Sequence, residues 1–144
     1  MTDFENYEKK CAEVRETNGH LLKDFEAWLV SAGLSEKTRS NHLSNIKFYV
    51  NDYLLYEDTT EAKDGMYSVS MFLGYWFIKK AMWASPTSVR GNAASLKKFY
   101  TFMHEKGLVE IEGLTELKQT IKEELPEWLA TLERYDDLSV DDVW

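Results

Sequence analysis

The chain holds only two prolines, Pro86 and Pro126, and seven glycines among 144 residues. Folds built from short strands need both residue types in quantity, because tight turns demand fixed or positive φ. A chain this poor in them is driven toward long helices. The apolar pattern agrees, since apolar residues recur at three- and four-residue spacing in nearly every segment. An apolar share of 44% with 14% aromatic residues is ample for a core and excludes a disordered chain. The length suits one domain with a tail.

The periodicity predicts a helix over 3–16, with Phe4, Tyr7, Cys11 and Val14 on one stripe. Asn18-Gly19 is predicted to interrupt it. A second helix carries Leu21, Leu22, Phe25, Trp28 and Leu29 and stops at Gly33. Ser35 caps a third helix running to about Leu55, with Leu43, Ile46, Val50, Tyr53 and Leu54 inward. Residues 57–67 read as a polar loop. Residues 69–83 are apolar nearly all round, the profile of a helix buried by its neighbours. Ser85-Pro86 opens a helix that Gly107 ends. Residues 115–134 form an acidic amphipathic helix with Leu117, Ile121, Trp128, Leu129 and Leu132 on an apolar stripe that packs on the bundle or on another chain, and Pro126 kinks or restarts it. The end from Asp136 is expected to fray. The expected architecture is all-α: a compact bundle of four to five helices over 18–108, with an extra N-terminal helix over 1–17 and an acidic segment over 109–144.

Several function classes drop out. The single Cys11 cannot form an internal disulfide, and residues 1–17 lack an apolar signal core, so a cytoplasmic setting is expected. The run from Val69 to Trp83 is broken by Lys79 and Lys80 and is short of the ~20 residues of a membrane span. His20, His42, His104 and Cys11 lack metal-ligand spacing, so neither a metal nor a cofactor is expected. There is no glycine-rich phosphate loop and no nucleophile elbow.

A net charge of -8 argues against a general DNA binder, but the charge is unevenly placed. Residues 1–17 carry -2, residues 18–108 carry +2 and residues 109–144 carry -8. Within the basic middle, two segments share a design: Ser35 to Tyr49 and Ser85 to Tyr100. Each starts with a capping Ser, passes through small polar and basic residues, and ends in Lys and aromatics. Placed side by side, two such helices would present two cationic starts to one surface. Free N–H groups and the helix dipole favour phosphate at such a start.

The candidate contacts in the first segment are Lys37, Thr38, Arg39, Asn41 and Ser44. Asn41 could read a base edge, whereas Arg39 and His42 point over the buried arc. In the second segment they are Thr87, Ser88, Arg90, Asn92, Lys97 and Lys98. Arg90 and Lys97 share a face two turns apart, with small residues between them. Both sets would also serve as ordinary capped, solvated helix faces.

From Leu29-Val-Ser-Ala-Gly-Leu-Ser35 through Lys-Thr-Arg, and from Ser85-Pro-Thr-Ser-Val-Arg to Ser95-Leu-Lys-Lys-Phe-Tyr, the chain resembles a known family. It is similar over roughly 20–108 to the N-terminal core-binding, SAM-like domain of tyrosine recombinases and phage integrases. The resemblance implies a helical half-clamp on duplex DNA and no catalysis, because the family's catalytic domain has no counterpart here. A DNA-binding chain of this kind would be nucleoid-associated. The alternatives are an interaction module on the same scaffold, binding a recombinase subunit or itself through residues 115–134, and a fragment of a longer integrase.

Overall fold

A computed structural model describes the backbone of residues 2–141 and the side chains of residues 2–136. These residues form an all-α structure of five helices with no strand among them. Helix α1 spans Asp3–Ser31, capped by Thr2, whose side chain accepts from the Glu5 N–H. Helix α2 spans Glu36–Phe48 and continues as a π-helical turn over Tyr49–Tyr53. Helix α3 covers 69–80, with a π-helical stretch Phe72–Trp76 in its middle. Helix α4 spans Pro86–Glu105 and helix α5 Ile111–Asp141. Gly33 and Gly107, at φ 80° and 83°, take the left-handed conformation that lets the chain leave α1 and α4.

Three sequence expectations change. First, α1 runs unbroken through Asn18 and Gly19, so the boundary at 17/18 falls inside a helix. Asn18 is buried against α2, and its amide donates to Val50 O (3.2 Å) and Asn51 Oδ1 (2.9 Å). Those tertiary bonds outweigh its turn preference. Second, residues 57–67 are partly ordered, with 3-10 turns at Ala62–Asp64 and Met66–Ser68. Two buried tyrosines hold them: Tyr49 donates to Gly65 O (2.6 Å) and Tyr100 to Ala62 O (2.8 Å). Burial pushes both hydroxyls well above the usual tyrosine range. Third, α3 is not covered all round. Phe72, Leu73, Phe77 and Ile78 are buried, but Met71 and Tyr75 are exposed, and the helix ends at Lys80, so Met82 and Trp83 lie beyond it and are exposed too.

The core is centred on α4. Val89, Ala93, Leu96, Phe99, Tyr100 and Met103 are buried, as the wheel requires. Phe25 of α1 meets Phe99 edge-on at 5.3 Å. The two π segments face each other through aromatic rings, with Tyr49 and Tyr53 each 4.8 Å from Phe72. Helix α5 packs back along α4 and α3. It runs through Pro126 without restarting and is helical to Asp141, so the expected fraying from Asp136 does not set in by that residue; the rest of that expectation, over 142–144, lies outside the described residues. Its apolar stripe is spent inside the bundle: Leu117, Ile121, Trp128 and Leu132 are all buried. Self-association through residues 115–134 is therefore corrected, because the side chains it needed already face the core.

Trp128 fits because Gly74 lacks a side chain. A Cβ there would stand 2.8 Å from Trp128 Cδ1 and Nε1. Gly91, at the crossing of α2 and α4, is different, since a Cβ there would make an ordinary 3.8 Å contact with Asn45 Nδ2. Gly74→Ala should lower unfolding stability by about 1–3 kcal/mol through overpacking. Gly91→Ala should raise it by about 0.5–1 kcal/mol through helix propensity. Urea midpoints of the two variants check both signs.

Candidate nucleic-acid interface

Helices α2 and α4 pass each other in opposite senses. Going forward along α2, His42 meets Ser95, Asn45 meets Ser95 and lies beside Gly91, and Phe48 meets Trp83. The two Ser-capped starts therefore do not open side by side. The start of α2 lies toward the Lys98 end of α4, and the start of α4 lies beside the far end of α2. This corrects the expected pairing, and its cause is the crossing itself. Small Ser95 and Gly91 receive His42 and Asn45 from α2 at a point some way from either cap.

The crossing is a buried polar knot. Ser95 is fully buried, and its Oγ donates to Gly91 O (3.0 Å) while accepting from Asn45 Nδ2 (3.0 Å). His42 Nδ1 lies 2.7 Å from the same oxygen. With the proton on Nδ1, all three hydrogen-bonding capacities of the hydroxyl are used. Burial, and then the nearby Lys98 ammonium, lower the His42 pKa below the ordinary histidine value.

The sequence-predicted residues fall into three groups. In the first, Lys37, Asn41 and Ser44 are exposed on one face of α2, and Thr87, Arg90 and Lys97 on one face of α4. Lys98 is half-buried beside α2. In the second, side chains are consumed by local structure. Thr38 serves the cap of α2, its N–H donating to Ser35 Oγ and its hydroxyl accepting from it. Arg39 donates to Leu34 O at 2.6 Å and so ties the α1–α2 turn. Ser88 forms a reciprocal capping box with Ser85. Asn92 forms the third group. It is buried and donates back to Ser88 O at 2.8 Å, so its amide does not face solvent. Asn92 is thus removed as a DNA contact, and Arg39 and Ser88 can offer at most backbone or residual charge.

The exposed cations also differ in their surroundings. Arg90 shares a groove with Pro86, Pro126 and Leu129 and with two carboxylates, Glu133 and Asp136. Lys97 and Lys98 line another groove with Trp28, Ala94, Thr101 and Lys118. No carboxylate lines this second groove, although Glu105 lies nearby as the acceptor of the Trp28 N–H at 3.0 Å. Lys118 is a functional candidate that the sequence reading missed. It belongs to the most acidic segment of the chain, and only the return of α5 along α4 brings it beside Lys97.

Among the described residues no group of acidic, histidine or cysteine side chains could hold a metal ion, and no helix is long and apolar enough to cross a membrane. Comparison of the chain with protein-family models, with curated proteins and with solved structures found no match.

His42 gives the interface a pH signature. Its folded pKa is lowered, so above the ordinary histidine pKa it contributes no pH dependence. As pH falls below about 6.5, the unfolded chain takes up a proton that the folded state resists. The urea midpoint should therefore fall between pH 7 and pH 5, and His42→Asn should remove part of that fall. An equal slope in the variant would show that other groups carry it.

Proposed function

We propose that the chain is a non-catalytic module that binds duplex DNA, of the core-binding type found in tyrosine recombinases. The observation that carries the reading is the groove in which Lys97 and Lys98 of α4 and Lys118 of α5 converge with no carboxylate in the lining. Three lysines lining one groove gain by neutralising phosphates and releasing their counterions. Trp28 at the same groove offers an apolar wall for sugar or base.

The exposed face of α2 extends this surface. Its start lies toward Lys98 and brings Lys37, free N–H groups and the positive end of the helix dipole. Asn41 and Ser44 stand on the same face as the candidates for base-edge or sugar contact. Arg90 contributes less, because Glu133 and Asp136 line its groove. Most contacts would be to phosphate, with limited sequence readout.

Titration of a labelled duplex at about 50 and 200 mM salt tests the reading. With Lys37, Lys97, Lys98 and Lys118 engaged, log K should fall against log salt with a slope of roughly -3 to -4. Lys97→Glu with Lys98→Glu should weaken binding by about tenfold or more and leave the thermal midpoint nearly unchanged, whereas Arg90→Glu should cost less. No binding at the lower salt, or a flat salt dependence, would overturn the reading.

A further inference from the structure

The loop after α2 and the outer face of α3 enclose a groove of about 380 Å³ with the opposite character. Its lining includes Tyr53, Tyr56, Tyr75 and Trp76, together with Glu57 and Asp58. The Trp76 ring is flanked by two others at steep angles: Tyr53 at 5.1 Å and 65°, and Tyr56 at 5.7 Å and 68°. Rings set as walls beside carboxylates are the surroundings in which an alkylammonium group is held by ring faces and charge together. At the edge of the groove, Lys79 Nζ makes a cation–π contact 4.3 Å from the centre of the Tyr75 ring.

The groove is built on pinned backbone. The Tyr7 hydroxyl, reaching from α1, donates to Leu55 O and is also 3.3 Å from Tyr56 O. The Thr60 N–H donates to Leu54 O at 3.2 Å, and the Thr59 N–H to Asp58 Oδ1 at 2.7 Å. Glu57 lines the groove together with Tyr53, whose pKa is raised by burial first and then by the Glu57 charge.

We infer that this groove docks a lysine-bearing peptide segment of a partner protein. The lysine ammonium settles against the exposed Tyr56 ring beside Glu57 and Asp58, and apolar neighbours of that lysine cover Met71 and Tyr75. Charge complementarity selects the cation, because both ionised groups in the lining are carboxylates. The peptide, rather than a small free cation, follows from what surrounds the groove. Met71 and Tyr75 are both exposed and four residues apart on α3, so the groove has an apolar rim that a small cation would leave wet. This site does not depend on DNA binding, and its two carboxylates would repel phosphate.

The full chain, labelled with ¹⁵N, is titrated with a blocked hexapeptide of alternating leucine and lysine, and separately with its norleucine-for-lysine counterpart. The lysine peptide should shift the Trp76 indole resonance and bind about tenfold or more tightly than the counterpart. Glu57→Gln with Asp58→Asn should weaken it by about fivefold or more, whereas Glu112→Gln with Glu116→Gln, the same loss of charge on α5, should change it by less than about twofold. Equal binding of the two peptides, or an equal loss in the α5 pair, would overturn the inference as general attraction to an acidic protein. Tetramethylammonium moving the same resonances as strongly as the peptide would also overturn it, in favour of a small-cation site.

Discussion

Helix α4 sits where α1, α2 and α5 must all find apolar surface, and the width of its apolar arc decides how the bundle closes. Buried residues from Val89 to Met103 occupy about half its circumference. Phe25 and Trp28 of α1 take one flank of that arc through Phe99 and Phe102. On the other flank α5 lies along α4, and it settles there because Gly74 of α3 leaves room for Trp128. What remains uncovered is a strip from Arg90 through Ala94 to Lys97 and Thr101. The cationic surface exists only because that strip stays open.

The path of α5 divides the strip. Its C-terminal half runs beside the start of α4 and brings Glu133 and Asp136 to Arg90. Its N-terminal half runs beside the middle of α4 and brings Lys118 to Lys97 and Lys98. One acidic helix thus quenches one end of a basic face and reinforces the other. Net charge alone would have assigned it a single effect, because interactions of exposed charges are damped beyond about 8–10 Å at moderate salt. Neighbours at contact distance, not the total of -8, set the local potential.

How far the sequence revealed these features follows from how local their causes are. The caps at Ser35 and Ser85 were readable because a side chain three residues from its N–H partner needs no tertiary context. The inward stripes of α4 and α5 were readable because a helix wheel fixes which residues share a face. Asn18 misled because its amide finds partners on α2, 32 and 33 residues away, which no local pattern shows. Asn92 is a different case: its wheel position lies inside the buried arc, between Phe99 and Met103, so the pattern already placed it inward, and its amide donates back to Ser88 O. The likeness of the two Ser-led segments suggested a parallel pair, but segment likeness carries no information on crossing sense. Lys118 and the exposure of Met71 and Tyr75 were hidden for the same physical reason, since only the packed position of α5 and the loop after α2 decides which flank of a helix meets solvent.

Two surfaces of opposite sign follow from one chain. The groove of Lys97, Lys98 and Lys118 has aromatic Trp28 beside cations, and the groove of Tyr53, Tyr56 and Trp76 has aromatics beside carboxylates. An aromatic ring tolerates either partner, because its edge is positive and its face negative. The charged neighbours therefore select the ligand, and the rings supply apolar area at low entropic cost. Tyr53 and Trp76 come from the π segments of α2 and α3. In such segments the wider turn displaces side chains from the usual 100° spacing. Tyr49 and Phe72 are buried in the core, while half-buried Tyr53 and Trp76 pack on its edge and also line the surface groove, so the same short stretches serve both.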